Sequence, residues 1–488
     1  MAVAACSSPS VPSTFGKSDK NVVIYPDYTN VTIPCNIAPL VYEIQEKGDD
    51  FVTRLSADGT EVIIGGATIA PQIDEWRKLL QRANKGSIKV ETFVKKGSSW
   101  SAYKPFAFIV SPDSIDTYIS YRLIPPSYVA YEQLTISQRN LTNYDEQVIY
   151  NNMLAATENE GSCINCHAYK NYRTDNMQFH IRQGNGGTLF VHNGKAVKLN
   201  MATDSTLSPG VYPAFNPVYD VVAYSVNKTG QIFHTVKSNK VEVQDVASDV
   251  IIYNPVSNTV TNVSNGPNDL EVFPWWSPDG RTLYYGSAHF EVKDTANTVM
   301  KEEIIRHREI KYDILKRSWN PDTFAFGEVD TVFAATKLGK SATFPRVSPD
   351  GRYLLFALGE YGCFHVWHQD ADLYVQELST GKYWPLERAN SEYAESYHSW
   401  SSNSRWILFS SRRDDTNYTR LYIAHVDANG KASKAFVLPQ KTPDYYPLFD
   451  RSYNVPEFMI EPVKFTPQEF AEVIKNEAKK VTYSSSGK

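Results

Sequence analysis

The chain has 488 residues, of which 42% are hydrophobic, 13% aromatic and 21% charged, with a net charge of −5. This length favours two or three domains, and the apolar content excludes a disordered chain. The weakly acidic charge argues against nucleic acid as a partner, and no run of about 18 apolar residues predicts a membrane-spanning helix.

The first segment, residues 1–20, is predicted to be a flexible tether. Val3-Ala4-Ala5-Cys6 resembles a bacterial lipobox, in which a small residue precedes the cysteine that is lipidated. The polar, proline-containing stretch at 7–14 has the composition of a tether behind such an anchor. This resemblance implies a lipid anchor at Cys6, and the alternative is a disordered tag with an incidental cysteine.

Residues 21–125 are predicted to form a small β-rich domain with one helix. Short apolar runs predict strands at 41–44, 51–55, 61–64, 87–94 and 105–110. Between them, apolar residues recur at helical spacing over 71–84, and Gly86 follows as a stop signal. Pro125-Pro126 then marks the boundary of this domain.

The segment 126–185 is predicted to be a linker that carries Cys163-Ile164-Asn165-Cys166-His167 on a surface loop. This is a complete Cys-x-x-Cys-His motif, and it resembles the heme-attachment motif of c-type cytochromes. Two thiols three positions apart can add to the two vinyl groups of one porphyrin, and the adjacent imidazole can then bind the iron. Cys163, Cys166 and His167 are therefore the predicted residues of a covalent heme c site.

Three other interpretations of the cysteine pair stay open. A thioredoxin-like redox site needs a βαβ pattern around the motif, and the sequence shows none. A zinc site needs further ligands, which His180 or His192 could supply. The third interpretation is a structural disulfide.

The sixth ligand of a heme iron is undetermined by the sequence. Met177 and His180 follow the motif closely enough to fold back on it. His365 and His368 are more distant candidates, and an open sixth position would permit ligand binding. Methionine ligation raises the reduction potential of the iron and a second histidine lowers it.

From residue 186 to residue 460 the sequence repeats itself. Each copy has an aromatic-Pro pair or a relative of it, then a turn of Ser-Pro-Asp-Gly type, then an apolar strand. The copies begin at Tyr212-Pro213, Phe273-Pro274, Phe344-Pro345, Tyr397-His398 and Tyr446-Pro447. With further strand pairs between copies, each unit contains about four strands, the content of a propeller blade.

The copies predict a mainly β fold with a propeller of five blades, or six if a divergent blade lies between 286 and 341. The strands at 187–191 and 196–200 precede the first copy, and the last copy runs out early. Together they are predicted to form one closing sheet, which would leave no exposed edge.

The end of the chain, 461–488, is predicted to be a short helix and a frayed tail. Thr466 is placed as the N-cap, Pro467 at the first helical position and Glu469 in a capping box. The helix is predicted to continue to Lys479 and Lys480, with Phe465 packed onto Phe470 at its start.

The repeats resemble those of TolB-like, WD-repeat-like propellers. With the heme-type motif and the Tyr-Asn-Val-Pro-Glu run at 453–457, the chain resembles TolB-like envelope proteins of Bacteroides-type bacteria. The resemblance implies a lipid-anchored protein in the periplasm or outer membrane that binds envelope proteins and contacts the membrane through Cys6 alone. The first acidic residue after Cys6 is Asp19, which favours a periplasm-facing anchor.

Two functions follow from these features. The first is a non-enzymatic propeller lipoprotein with one c-type heme, used for protein binding or electron transfer. The alternative is a protein- or glycan-binding scaffold of an outer-membrane complex, with the cysteines as a structural disulfide. Hydrolase activity is disfavoured because the sequence has no Gly-x-Ser-x-Gly nucleophile elbow.

Overall fold

The structure is a computed structural model that describes residues 8–125, 134–156, 161–233 and 241–485. Cys6 lies outside these residues. The N-terminal region contains short strands and one helix: β1 (Gly16–Asn21), β2 (Ile24–Tyr25), β3 (Thr32–Pro34), β4 (Tyr42–Ile44), β5 (Asp50–Ala57), β6 (Thr60–Gly65), β7 (Thr68–Ile69), α1 (Ile73–Arg82), β8 (Ser87–Lys96), β9 (Ser99–Lys104) and β10 (Phe106–Ser111).

The predicted helix and strands of this region are confirmed. The larger sheet has the order β1-β9-β8-β10-β3, with β5 paired to β8 and β6 paired to β5, and β2-β4-β7 form a smaller sheet. Helix α1 buries Trp76, Leu79 and Leu80, the residues at helical spacing. The Trp76 indole donates a hydrogen bond to the Ile37 carbonyl at 2.9 Å, which fixes the helix against the preceding loop.

The rest of the described chain consists of antiparallel units of about four strands. In chain order the strands are β11 (Tyr118–Ile124), β12 (Thr135–Asn140), β13 (Glu146–Asn151), β14 (Ser162–Lys170), β15 (Arg173–Gln183), β16 (Gly187–His192), β17 (Lys195–Asn200), β18 (Val211–Phe215), β19 (Val222–Phe233), β20 (Val241–Asn254), β21 (Thr259–Ser264), β22 (Asp269–Trp276), β23 (Thr282–His289), β24 (Asp313–Trp319), β25 (Phe326–Phe333), β26 (Ser341–Val347), β27 (Tyr353–Gly359), β28 (Asp372–Glu377), β29 (Tyr383–Pro385), β30 (Glu395–Trp400), β31 (Trp406–Ser411), β32 (Arg420–His425), β33 (Phe436–Val437) and β34 (Ser452–Met459).

Three α-helices and two short strands lie outside these units. Helix α2 (Val299–Arg306) lies between β23 and β24, and the short helix α3 (Tyr445–Leu448) precedes β34. Helix α4 (Pro467–Lys475) is followed by two short strands, β35 (Lys479–Lys480) and β36 (Thr482–Tyr483). These two strands add to the edges of the units β14–β17 and β18–β21, respectively.

The strand pairing has a propeller-type pattern. Units β14–β17, β18–β21, β22–β25, β26–β29 and β30–β33 follow one another along the chain, each made of neighbouring strands. In the remaining unit, β34 pairs with β11, which continues to β12 and β13. The mainly β fold predicted from the repeats is therefore confirmed.

The ends of the repeat region join differently from the prediction. Strands β16 and β17 were expected to close the ring, but they continue the hairpin β14–β15 that contains the Cys-x-x-Cys-His motif. Strand β34 instead pairs antiparallel with β11, from Tyr118 against Met459 to Ile124 against Ser452. The region before the motif therefore supplies the outer strands of the closing sheet, and strands on both sides of residue 185 share one unit.

Three local predictions were also wrong. Tyr446-Pro447 starts no strand but lies in helix α3, and the equivalent strand is β34 with Val455-Pro456. The interval between 286 and 341 holds no separate blade, because β24 and β25 extend the sheet of β23. The motif lies on strand β14 and not on a surface loop.

The C-terminal helix follows the predicted capping but is shorter. Thr466 and Glu469 form the capping box, with Pro467 at the start of α4. The Phe465 and Phe470 rings stack with centroids 4.9 Å apart. The helix ends at Lys475, and Lys479 and Lys480 form strand β35 because their backbone pairs with β17.

No helix within the described ranges has both the length and the apolar character needed to cross a membrane.

The closing sheet gives a stability prediction. Tyr121 on β11 and Tyr453 on β34 are fully buried, and their ring centroids lie 4.8 Å apart. Replacing Tyr453 by alanine leaves a cavity at the seam, so the unfolding free energy should fall by about 3 kcal/mol or more. Urea unfolding followed by circular dichroism measures the loss.

The matched control is Tyr483→Ala, since Tyr483 is 38% exposed on the terminal strand β36. This control should change the stability by less than about 1 kcal/mol. Equal stability of the Tyr453→Ala protein and the unmutated protein would contradict the pairing of β34 with β11.

Candidate functional site

The first strands of the units share one backbone irregularity. Each has one extra residue relative to its partner strand, a β-bulge, and the first bulged residue has a positive φ angle. These residues are Cys166 (55°), Tyr212 (50°), Phe273 (54°), Phe344 (55°), Tyr397 (46°) and Val455 (48°). The next residue is proline in four cases and histidine in two, His167 and His398.

All of these bulged pairs line the same cavity, so the first strands surround one axis. The cavity, here named the inner chamber, has a volume of about 30 Å³. A second cavity of about 220 Å³, the outer chamber, adjoins it and shares Pro213 and Glu457 with it. Prolines of the turns after the first strands, including Pro278 and Pro349, line the outer chamber. The two chambers together form an axial funnel.

Aromatic rings of the bulges close the narrow end of this funnel. The Phe273 ring lies 4.8 Å from that of Tyr212 and 3.9 Å from that of Phe344. The Phe344 ring is in turn 4.8 Å from that of Tyr397. The Phe364 ring also packs on the Phe273 ring, and their centroids lie 5.6 Å apart. The aromatic residues of the repeats therefore form a central plug.

His167 lies in the inner chamber as a neutral imidazole. Only 1% of the residue is exposed, and neither ring nitrogen has a hydrogen-bond partner. Burial lowers the pKa of His167 to about 3, and Arg122 acts in the same direction. The backbone carbonyls of Ser120 and Val455 favour the protonated form, although they do not overcome burial.

His398 shows what a histidine does at this position of the repeat. Its Nε2 atom is 2.7 Å from the carbonyl oxygen of Phe344, the bulged residue of the preceding unit. For His167 the corresponding residue is Val455, whose carbonyl acts on the imidazole. Cys166-His167 therefore has the same place in its unit as Tyr397-His398, where no cysteine pair is present.

The two cysteines of the motif have different surroundings. Cys166 is buried in the inner chamber, where burial raises the pKa of its thiol. Cys163 is half-buried and packs against an apolar cluster that contains Ile164 and Phe179. Both are free thiols. On a regular strand the Cα atoms of two residues three positions apart, such as Cys163 and Cys166, are separated by roughly 10 Å. A disulfide needs Cα atoms within about 7 Å, so this strand does not suit a disulfide between the two cysteines.

This strand conformation does not suit a heme attached through both thiols. The imidazole of His167 is neutral, as an iron ligand must be. However, only Cys166 shares its chamber, and that chamber has a volume of about 30 Å³. The covalent heme therefore stays a prediction from the sequence motif.

The predicted additional ligands are not brought to His167. Met177 is fully buried in the apolar cluster that also contains Phe179. His180 Nδ1 is 3.2 Å from the Thr188 hydroxyl, and His192 is half-buried with Nε2 3.7 Å from an Asp220 oxygen. Across the described chain, no group of three or more His, Cys, Asp or Glu side chains is arranged to hold a metal ion.

His365 and His368 lie outside the funnel, near the central plug. The ring nitrogens of His365 are 3.1 Å from the Thr343 hydroxyl and 3.2 Å from the Tyr361 carbonyl. His368 Nε2 is 2.9 Å from a Glu242 carboxylate oxygen. Both histidines are therefore engaged in contacts of their own.

An ion pair lies against an aromatic ring where the two chambers meet, since Arg346 lines the inner chamber and Glu457 lines both. An Arg346 amino group lies 3.0 Å from a Glu457 carboxylate oxygen, and the guanidinium lies 3.9 Å over the Trp275 ring. Burial raises the pKa of Glu457, while the charge of Arg346 opposes the rise. Tyr172 and the exposed Asn171 line the outer chamber. The arrangement combines flat apolar faces with a fixed pair of hydrogen-bonding groups.

Sequence reasoning missed the funnel residues that lie outside the obvious repeats. Arg346 and Trp275 directly follow aromatic-Pro pairs. Glu457 follows Val455-Pro456, which lacks the aromatic residue and was not among the predicted copies. A signal was present, because Tyr397-His398 already shows that histidine can replace proline. The same substitution identifies Cys166-His167 as a copy, and Val455-Pro456 keeps the proline.

Neither a protein-family model nor a curated protein matches this sequence. Similar solved structures include oligogalacturonate lyase from Vibrio parahaemolyticus, with 14% identity, a TM-score of 0.33 and coverage of 85% of this chain and 100% of the lyase. Prolyl oligopeptidase B from Galerina marginata has 9% identity, a TM-score of 0.38 and coverage of 66% and 45%, respectively. The GH74 enzyme of Niastella koreensis has 11% identity, a TM-score of 0.37 and coverage of 65% and 46%. At these TM-scores the strand pairing above remains the basis of the fold.

The buried imidazole gives a pH-dependent prediction. His167 stays neutral in the folded chain, whereas in the unfolded chain it takes up a proton near pH 6.5. The contribution of neutral His167 to the unfolding free energy is therefore complete above that pH. It falls by about 1.4 kcal/mol for each pH unit below that pH. Between pH 7.5 and 5, His167→Gln should reduce the loss by about 2 kcal/mol.

Urea unfolding at the two pH values measures this difference, and His289→Gln is the control. His289 is exposed, and its hydrogen bond to Asp269 raises its pKa, so its removal should not reduce the loss. An unchanged loss in His167→Gln would show that the imidazole is already accessible to protons in the folded chain.

Proposed function

We propose that this chain is a six-bladed propeller of the bacterial envelope that binds an oligosaccharide in the outer chamber of its axial funnel. Five blades follow one another in sequence, and β34 with β11–β13 makes the sixth. This count is supported by the bulged pairs, which recur once per unit and line a single chamber. Joining the last strand to earlier ones closes the ring without a free edge.

The observation that carries the ligand proposal is the Arg346–Glu457 pair packed against Trp275. Sugar rings have apolar faces that stack on indole and phenol rings, and hydroxyl groups that bond to charged side chains at their edge. The outer chamber offers both, since the partly buried rings of Trp275 and Tyr172 and the Glu457 carboxylate line it. One face of Trp275 is covered by the Arg346 guanidinium, which leaves Tyr172 and the rest of the indole for a sugar ring. Binding pockets generally combine apolar walls with a few placed polar groups.

The charges of the chamber disfavour a strongly anionic ligand. Of the residues known to line the two chambers, Arg346 is the only lysine or arginine, and Glu457 already neutralises it. A phosphate or polyanion would have to displace that carboxylate. A ligand rich in hydroxyl groups can instead bond to both partners without separating their charges.

The cellular setting of the proposal comes from the sequence. Lipidation at Cys6 would hold the propeller at the membrane, in the periplasm or on the outer membrane, beside protein partners of an envelope complex. The role is binding and not catalysis. Detection of a diacylated Cys6 peptide by mass spectrometry would support this part of the proposal.

Oligosaccharide binding is tested by calorimetric titration with a panel of short neutral and acidic oligosaccharides. We expect saturable binding of at least one class, and Trp275→Ala should weaken it tenfold or more, which is about 1.4 kcal/mol. Glu457→Gln should weaken it as well, because it removes the charge that orients Arg346.

Trp384→Ala is the matched control, since Trp384 lies on the outer strand β29 and its indole bonds to the Gly430 carbonyl at 2.9 Å. This variant should bind like the unmutated protein. Failure of every oligosaccharide to bind, or equal binding by the Trp275→Ala protein, would overturn the proposal.

The heme prediction has its own test. If heme is attached as the motif predicts, protein produced in a host that ligates heme will show a Soret band that survives acid-acetone extraction, because thioether bonds hold the porphyrin. Replacing Cys163 and Cys166 by serine should abolish the band. A colourless protein of the unmodified mass would instead support the structural role of Cys166-His167 in the inner chamber.

A further inference from the structure

Helix α2 is attached to the propeller through carboxyl groups and not through apolar side chains. Its buried residues are Glu302 and Glu303, whereas Val299, Met300, Ile304 and Ile305 are 40–60% exposed. A helix on a globular protein normally buries its apolar face. The hydrophobic effect therefore contributes little to the attachment of α2, so the chemistry of its glutamates decides whether it stays in place.

The two glutamates differ in how they are satisfied. Glu302 lies 3.0 Å from an Arg306 nitrogen on the same helix and accepts a bond from the Asn297 amide at 2.8 Å. Glu303 is 1% exposed and its Oε1 atom has no partner. Helix α2 packs against β20, where Asp245 is also 1% exposed with an unpartnered Oδ1 atom.

The groups around this pair of acids do not neutralise it. Asn227 on β19 donates to Asp245 Oδ2 at 2.9 Å, and the Cys363 thiol lies 3.9 Å from the same oxygen. Tyr312 and Tyr212 face the pair as neutral phenols, because burial raises the pKa of each well above 10. The neighbouring Glu242 is engaged by His368 and Tyr361, and His307 bonds to the Ile304 carbonyl.

Among the described residues, no lysine, arginine or histidine forms an ion pair with Asp245 or Glu303. Two uncompensated carboxylates cannot both stay buried at low cost. Burial raises the pKa of Asp245 to about 7, and burial together with the charge of Asp245 raises the pKa of Glu303 to about 8. Both shifts agree with protonated acids at slightly acidic pH.

We propose that Asp245 and Glu303 form a proton-operated latch, which holds helix α2 on the propeller while the acids are protonated and releases it when both ionise. The latch lies near Cys363 and Tyr312, which pack into the cluster around the central plug. Release of α2 therefore uncovers the part of β20 against which it packs. The proposal is independent of the oligosaccharide proposal.

Hydrogen exchange followed by mass spectrometry tests the latch on the full chain between pH 6 and 8.5, with rates corrected for intrinsic exchange. Amides of residues 299–306 should lose protection at least tenfold as the pH rises. Helix α4 is the internal reference, since its capping box lowers the pKa of Glu469 and no buried acid holds it. In the Asp245→Asn, Glu303→Gln double variant the protection of α2 should not depend on pH.

Two further variants and one addition make the outcome decisive. Glu302→Gln is the matched control, because it removes the Arg306 contact and leaves the latch acids, so the pH dependence should persist. If the double variant is unstable, Asp245→Asn alone should shift the midpoint of release. The same loss of protection in the double variant, or restored protection at pH 8.5 on adding calcium chloride, would overturn the latch; the second result would indicate a cation site.

Discussion

The repeated bulge at the start of each unit is the constraint on which the rest of the structure depends. A residue of positive φ followed by proline or histidine interrupts the ladder of each first strand and turns the bulged side chain toward the axis. Positive φ in residues other than glycine has a cost of order 1 kcal/mol or more per site. Contacts between neighbouring units offset this cost, as the Phe273–Phe344 stack shows.

The bulge also gives part of the Cys-x-x-Cys-His motif a structural role. Cys166 occupies the bulged position that is aromatic in four other units, and His167 occupies the next position, as His398 does. The geometry of the ring therefore accounts for the last two residues of the motif. It does not account for Cys163, which packs against an apolar cluster outside the chamber.

Sequence patterns predicted the fold class well because the strands and turns of a propeller are local. Helix α1, the capping box at Thr466 and four of the five proposed copies correspond closely to the structure. One of these four copies, Tyr397-His398, has histidine in place of proline. The closing sheet could not be predicted in the same way, because β11 and β34 are separated by more of the chain than any repeat unit contains. Tyr446-Pro447 matched the repeat in letters but lies in a helix, since Val455-Pro456 supplies the strand.

The candidate site could not be predicted from any single motif, because its residues come from different units. The ion pair between the chambers is formed where Arg346 from one unit meets Trp275 from the preceding unit and Glu457 on β34. Asp245 and Glu303 also come from elements that are distant in sequence, since Asp245 lies on strand β20 and Glu303 on helix α2. Each pair contains buried groups, and their burial depends on how neighbouring elements pack. Arg346 and Glu457 each follow a bulged pair directly, so the bulge that fixes which residue of a first strand faces the axis also brings these two charges together.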